Sequence, residues 1–449
     1  MTDKPIVLVI GSGAAGSGAA RTLAAGGADV TLAEPGRVGG ACLWFACVPK
    51  KALYNAAHAA RGLARVEQFG LSVEGAGHDW RSVLAWKWHA QETYAGDQEA
   101  LFASRGIRLA KVPAKFVGPG RVMVGEEVMV PDAIVVATGS APQRPDVPGA
   151  QLADVSMDAM GYESPPRRLV IVGGGYVGLE FAGIYSAFGT EVTVVLRGAR
   201  ALPAFDSEIV EVAVRALELQ GVRFVTQATL KTITGVPGAF SVRYDDATGS
   251  SHELECDRVL LATGRRPALD SLDLVASGIA LDEHGSPVLD EALRSSDPRV
   301  YFAGDAAGRI QLTPAANAQG EAVARSILTG APVPVDLRAL ATAVFTVPQL
   351  GQVGMTEHDA RRAGMEVTVR RQTYEYVAAA IIADERDGLV KLVFDRDEVL
   401  VGAQVAAPNA SDLIYALALA VRARMTAAEI GATHAVHPSY AEALNWAAW

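Results

Sequence analysis

Short runs of branched apolar residues, each followed by glycines and then by an alanine-rich stretch, occur twice along this chain. Ile6–Ile10 leads into Gly11-Ser12-Gly13-Ala14-Ala15-Gly16, and a second apolar run follows at Val30–Ala33. Leu169–Val172 leads into Gly173-Gly174-Gly175-Tyr176-Val177-Gly178, with its second run at Val192–Leu196. Strand, tight turn, helix, strand is the order a dinucleotide fold requires. Each half later carries Ala-Thr-Gly after another apolar run, at Ala137-Thr138-Gly139 and Ala262-Thr263-Gly264. The pattern predicts two nested nucleotide-binding domains. Pro-rich residues 142–148 form the expected outward crossing between them, and residues 264–267 the return. From about Ala339 strands and helices alternate without a glycine fingerprint, which predicts a third, α+β domain. The expected division is 1–145 with 268–338, then 146–267, then 339–449.

Composition narrows the class. The chain has 449 residues, half of them hydrophobic and a fifth charged, so it can bury several cores. A formal net charge of -10 argues against a nucleic-acid or anionic-membrane binder. Three cysteines are too few for a secreted disulfide scaffold. Ile6–Ile10 is too short for a signal-peptide core or a membrane span. A soluble, cytoplasmic protein is expected. His58, His78, His89 and His434 lack partners at ligand spacing, so no metal site is expected.

The glycines of the first turn have separate tasks. Gly11 permits the tight turn, Gly13 lets backbone approach a pyrophosphate, and Gly16 lets helix and strand pack closely. The helix N-terminus offers N–H groups and a positive dipole end to phosphates. Glu34, closing the second strand, can accept from ribose hydroxyls. Gly173, Gly175 and Gly178 repeat the device, but the acidic position does not recur: Leu196 stands there, followed by Arg197 and Arg200. Guanidinium groups suit a ribose 2′-phosphate, which favours NADPH while leaving NADH possible.

Two of the three cysteines, Cys42 and Cys47, sit just after the first fingerprint. On an ideal helix, residues five apart have Cα atoms roughly 8.6 Å apart, whereas a disulfide needs about 4.4–6.8 Å. The segment must therefore bend or start its helix irregularly if the pair is to bond. Strained, accessible disulfides tend to be the catalytic ones. Two buried thiols are the alternative. Cys256 enters Leu260-Leu261 and reads as buried structure. Trp80, Trp86 and Trp88 read as helix packing.

The order of motifs resembles the pyridine nucleotide–disulfide oxidoreductases, the family of glutathione reductase, dihydrolipoamide dehydrogenase and mercuric reductase. The resemblance spans essentially the whole chain. It rests on Gly11–Gly16, the paired cysteines with Val48-Pro49 and Lys51, Gly173–Gly178 with Glu180, and Ala262–Pro267. It continues through Tyr301–Asp305, Phe345–Gln349, and His437-Pro438 with Glu442. The resemblance implies two Rossmann-like FAD and NAD(P) domains and a C-terminal α+β dimerisation domain. FAD would occupy the first site, with Glu34 on its ribose and Asp305 on its ribityl–phosphate chain. Gly40, Ala114, Thr138, Gly139 and Thr313 to Ala315 would line it. Lys51 would lie by the reactive flavin nitrogen, paired with Glu180, with Tyr176 as a lid over the flavin. Gly264 would border the nicotinamide nucleotide.

The resemblance also implies the chemistry. Hydride passes from NADPH to flavin, which reduces the Cys42–Cys47 disulfide. Cys47 would face the flavin and Cys42 would attack a small disulfide substrate. His437, oriented by Glu442, would supply the proton, reaching the other subunit's disulfide in a homodimer. Some positions depart from the family pattern. Trp44 and Phe45 fill the space between the cysteines, Ala41 replaces a frequent Thr, and Lys50 a frequent Ser. The two aromatics either pack the bent helix or narrow the approach to the disulfide. Arg21 fits a glutathione site and Glu321 does not. No cysteine pair lies near the C-terminus, against a mercuric reductase. A dihydrolipoamide dehydrogenase-type enzyme using NAD, or a mercuric reductase-like protein lacking the C-terminal cysteine pair, is the alternative enzyme. A redox sensor that kept the fold is the non-enzymatic one.

Overall fold

A computed structural model describes residues 4–63, 65–75 and 77–449. Contacts divide the chain into two units: Met1–Lys50 with Ala85–Gln143 and Arg265–Leu337, and Lys51–Leu84 with Arg144–Gly264 and Arg338–Trp449.

The first unit is built on a parallel five-stranded sheet. Its order is Val300–Phe302, Ala133–Val136, β1 (Ile6–Ile10), β2 (Asp29–Ala33) and Arg108–Ala110. Val9 faces Leu32 on one side and Val135 on the other. A parallel strand covered on both faces needs continuous apolar residues rather than alternation, and Val7, Leu8, Val9 and Ile134 are fully buried. Helix α1 (Ala14–Ala25) packs on helix Thr313–Thr329 beside the sheet. The chain then forms α2 (Gly40–Trp44), α3 (Cys47–Leu63) and α4 (Trp80–Ala95). The two expected crossings run side by side: Ser140–Pro142 pairs antiparallel with Arg265–Pro267.

The second unit repeats the parallel motif. Strands Glu191–Val195 and Arg168–Val172 lie centrally, flanked by Arg223–Val225 and Arg258–Leu261. A three-stranded antiparallel sheet, residues Thr229–Val236, Ala239–Asp245 and Ser251–Cys256, packs against it through Phe240, Val242 and Cys256. Cys256 is buried, and burial pushes its thiol up to about 11. After Arg338 comes a five-stranded antiparallel sheet, with helices Ala410–Ala423, Ala427–Ala432 and Glu442–Trp446 in its core cluster. The fold class is therefore α/β with two Rossmann-like sheets plus a C-terminal α+β domain.

A buried ionic cluster ties that α+β sheet to the N-terminus of helix Ser207–Leu219. Lys391, on strand Leu389–Asp395, is 3% exposed. Its Nζ lies 2.8 Å from Asp206, 2.5 Å from Glu208 and 3.0 Å from Glu357. Arg371, directly across the strand pair from Lys391, binds Glu208 and Glu357 as well. Asp206 also accepts from the Glu208 backbone N–H at the helix start. Burial alone would lower the Lys391 amine, but its three carboxylates hold it above its ordinary range. Arg371, then Lys391, pulls Glu208 down to about 2 against the opposing effect of burial, and Lys391 lowers Glu357.

Carboxylates held below their unfolded range stabilise the fold at neutral pH, and that contribution disappears as pH falls through the folded value. Lys391→Met leaves three carboxylates facing one another and is expected to cost about 3 kcal/mol at pH 7. The deficit should shrink between about pH 5 and 2 as Glu208 and Glu357 protonate. Urea denaturation of both proteins across that range measures it.

Candidate active site

In the first unit the chain turns sharply between β1 and α1. Gly11 has φ +102, and a Cβ there would stand 2.4 Å from the Ala137 carbonyl oxygen. Only glycine fits that approach. The second unit repeats it at Gly173, φ +122, against the Ala262 carbonyl at 2.2 Å. Gly13 is the N-cap of α1 and Gly175 the N-cap of helix Tyr176–Ala187, and Gly16 and Gly178 lie buried in the first turns. Gly40, φ +67, closes over Gly13: a Cβ on it would meet the Gly13 Cα at 2.5 Å. The two backbones thus form one cradle over the α1 N-terminus.

Glu34 stands at the rim of this cradle. Its carboxylate accepts from the Ser12 N–H at 3.0 Å, the Ser12 hydroxyl at 2.8 Å and the Gly36 N–H at 2.8 Å. Asp305, in the short helix Gly304–Ala307, accepts from the Ser140 hydroxyl at 2.5 Å, and Arg265 donates to that hydroxyl at 2.8 Å. Thr138 carries a buried hydroxyl with no hydrogen-bond partner among the described residues. Gly139, next to it, has φ +75 with nothing within 4 Å of a Cβ position. The Ala114 methyl packs in the sheet core, and Ala315 is fully buried.

The cysteines straddle a helix break. Cys42 lies inside α2, which ends at Trp44, and Cys47 is the first residue of α3. Phe45, at φ -137, leaves the helical path between them. Both are thiols, hydrogen-bonded to each other. The Cys47 sulfur lies 3.4 Å from the Thr313 hydroxyl. The hydrogen bond to Cys47, together with burial and the neighbouring sulfur's charge, pushes the Cys42 thiol well above its ordinary value.

The second unit holds the other expected residues. Lys51 places its ammonium 3.9 Å from the Phe345 ring and 4.4 Å from the Tyr54 ring. Glu180, buried, accepts from the Phe345 N–H at 2.9 Å, so both residues converge on Phe345. Tyr176 is the exposed first residue of its helix. The His437 Nδ1 lies 2.8 Å from Glu442, which also accepts from the Ser439 N–H at 3.0 Å. His437 is 70% exposed at its side chain and Glu442 only 11%. The hydrogen bond from His437, then that from Ser439, holds the Glu442 carboxyl below its usual range.

At the second glycine turn, Leu196 is buried beside Gly174. Arg200 differs from a free phosphate ligand, because its guanidinium donates to the carbonyls of Leu202, Pro203 and Phe205 in its own loop. Arg197 is exposed and without a hydrogen-bond partner among the described residues. Gly264 ends this unit's contribution just before Arg265. The tryptophans also divide. Trp80 is buried and donates to the Tyr162 carbonyl at 2.7 Å. Trp86 and Trp88 are 58% and 47% exposed, so helix packing does not account for them.

Comparison with known proteins gives these geometries a family. Residues 5–320 match the model of the pyridine nucleotide-disulphide oxidoreductases, and residues 340–448 match the dimerisation domain of the same family. The chain belongs to the pyridine nucleotide-disulphide oxidoreductase family. A glutathione reductase of Burkholderia cepacia is 34% identical over 97% of this chain and 96% of its own length. Dihydrolipoyl dehydrogenase 3 of Haloarcula marismortui is 32% identical over the whole chain and 96% of its own. A mercuric reductase of Bacillus cereus is 32% identical over 98% of this chain and 70% of its own.

As a member of this family the protein is an oxidoreductase, and family members use FAD and NAD(P)H. The dimerisation-domain match supports a homodimer. No helix among the described residues is long and apolar enough to cross a membrane. The first unit's residues fit a dinucleotide: a two-backbone cradle at a helix N-terminus, a fixed carboxylate at its rim, and the unpartnered Thr138 hydroxyl.

Sequence reasoning missed Ser12 and Ser140, which fix the two acidic residues, and Phe345 as the meeting point of Lys51 and Glu180. A hydroxyl inside a glycine turn was the one available signal. If the Thr138 hydroxyl serves the cofactor, Thr138→Val leaves the thermal midpoint of the flavin-free protein unchanged and weakens FAD binding roughly ten-fold. Flavin release monitored by fluorescence reads the difference.

Proposed function

We propose that this protein is a homodimeric NADPH-dependent reductase of a small disulfide, working through Cys42 and Cys47. The observation that carries the proposal is the pair of free sulfurs, Cys42 and Cys47, brought together across a helix break beside the Thr313 hydroxyl. In this reading residues 1–145 and 268–338 bind FAD, 146–267 bind the nicotinamide nucleotide, and 339–449 form the subunit interface.

FAD, when bound, accepts two electrons from the nicotinamide and delivers them to the disulfide. The chain's own residues do the rest. Gly11, Gly13, Gly16 and Gly40 admit the pyrophosphate, while Glu34 and Asp305 take ribose and ribityl hydroxyls. Thr138, Gly139, Ala114, Thr313 and Ala315 complete that wall. Lys51, with Glu180, would supply a positive charge to balance negative charge on the flavin, were it bound. Gly173, Gly175, Gly178 and Gly264 seat the nicotinamide nucleotide behind Tyr176.

Cys42, deprotonated by His437 of the second subunit, attacks one sulfur of the substrate. A Cys42–substrate bond forms, the substrate S–S bond breaks, and the leaving thiolate takes the proton from His437. Cys47 then attacks the Cys42 sulfur, the Cys42–substrate bond breaks, the second thiolate takes a proton from solvent, and the Cys42–Cys47 disulfide is restored. The high thiol affinity of Cys42 for its proton makes an external base necessary. Glu442 keeps the imidazolium oriented and charge-compensated, as a triad carboxylate does.

Leu196 and Arg197 support NADPH, since no carboxylate stands at the second strand's end and one guanidinium is available. One observation favours a second reading, an NAD-linked dihydrolipoamide dehydrogenase: Arg200 is already engaged by its own loop.

Steady-state oxidation of NADPH and NADH against oxidised glutathione, lipoamide and other low-molecular-weight disulfides decides between them. NADPH should exceed NADH in kcat/KM, and Arg197→Ala should raise the NADPH KM roughly ten-fold with little change for NADH. Full disulfide turnover by Cys42→Ser would overturn the mechanism. Glu442→Gln is expected to lower disulfide turnover about 100-fold. NADPH-driven ferricyanide reduction, which needs no cysteine, should stay unchanged. A pH–rate profile of both reactions tests this.

A further inference from the structure

We propose that Gln91 and Trp44 are positioning residues that fix the Cys42 half of the sulfur pair. The proposal rests on the reading of Cys42 as the thiol that meets substrate. Helix α2 has five residues and cannot hold its own shape, because so short a helix has no cooperative stability and leaves its last carbonyls unpaired. Two of those carbonyls are met from α4. The Gln91 carboxamide nitrogen donates to Leu43 O and Trp44 O, both at 3.1 Å. With two carbonyls as neighbours, only the nitrogen can face them, which fixes the amide's orientation.

The Trp44 ring completes the bracket on the other side of Cys42. Its Nε1 donates to the Val38 carbonyl at 2.7 Å, in the turn that precedes α2. The Arg37 guanidinium lies 3.5 Å above the ring and is itself held by Glu92 of α4 at 2.7 Å. Leu43, Trp44 and Ala95 form a small buried cluster beneath. Cys42 is thus held by the residues that follow it and by the turn that precedes α2.

Stability alone does not explain the arrangement. Gln91 is fully buried, and its carbonyl oxygen has no partner among the described residues. An unsatisfied buried acceptor is destabilising. A methionine there would avoid that cost but forfeit both hydrogen bonds to α2.

The test uses the FAD-loaded dimer with Gln91→Met, and Trp44→Phe as a variant that keeps the ring over which Arg37 sits. FAD content, ferricyanide reduction and the NADPH KM should stay within about two-fold of the parent, while disulfide kcat falls roughly ten-fold. The pH midpoint for iodoacetamide alkylation of Cys42 in the reduced enzyme should move, because the hydrogen bond to Cys47 and the burial that act on its thiol depend on where Cys42 sits. An unmoved midpoint with parental kcat would overturn the proposal, as would a parallel loss of ferricyanide reduction. If the parent protein reduces no disulfide, the functional reading fails, and the alkylation midpoint still decides the positioning role.

Discussion

The sulfur–sulfur hydrogen bond between Cys42 and Cys47 exists because the chain abandons its helix between them. On a continuous helix the two Cα atoms would stand roughly 8.6 Å apart. Phe45 instead leaves the helical path and α3 begins at Cys47. This break also makes the two sulfurs unequal. Cys47 sits at the positive end of a seventeen-residue helix, where negative charge is favoured. Cys42 lies in a five-residue helix, is more buried, and its thiol is pushed up by the hydrogen bond to Cys47 and by burial. A pair that differs in this way has a direction: one sulfur suited to carry charge, the other needing a base before it can attack.

The two glycine turns show one backbone device put to two recognition tasks. Gly11 against Ala137 and Gly173 against Ala262 are the same close approach. Beyond the turn, the second strands end differently. Glu34 is polar, partly exposed and fixed by Ser12 and Gly36. Leu196 is buried, and a Cβ on Gly174 would meet its Cδ1 at 2.9 Å. A carboxylate in that packed position would be desolvated without a partner. Any discrimination by charge at the second site must therefore come from the loop beyond the strand.

That loop shows where sequence reading runs out. The strand–glycine–helix units were legible because backbone periodicity and glycine placement are local properties. The helix break was legible because the cysteine spacing conflicts with helix geometry. Arg197 and Arg200 look alike in sequence, and only the fold of residues 202–205 gives Arg200 its carbonyl partners. Lys391 owes its three carboxylates to strand register and to the docking of a distant helix start. Gln91 stands in a helix of mixed composition with nothing to distinguish it until α2 is seen beneath it. Trp86 and Trp88 fail for the converse reason: aromatic content suggested packing, but their side of α4 is left exposed.

Trp44 and Phe45 bring these points together. As neighbours in sequence they invite one explanation, and the structure requires two. Trp44 closes α2 and points inward, where its N–H reaches Val38 and its ring meets Arg37. Phe45 is the residue at which the helix ends, and it is 43% exposed. A buried ring can influence the cysteines only through the backbone it holds. An exposed ring between the two cysteines in sequence can meet a substrate directly. The two aromatics are therefore separable in this chain, Trp44 set in the packing that holds α2 and Phe45 at its exposed end.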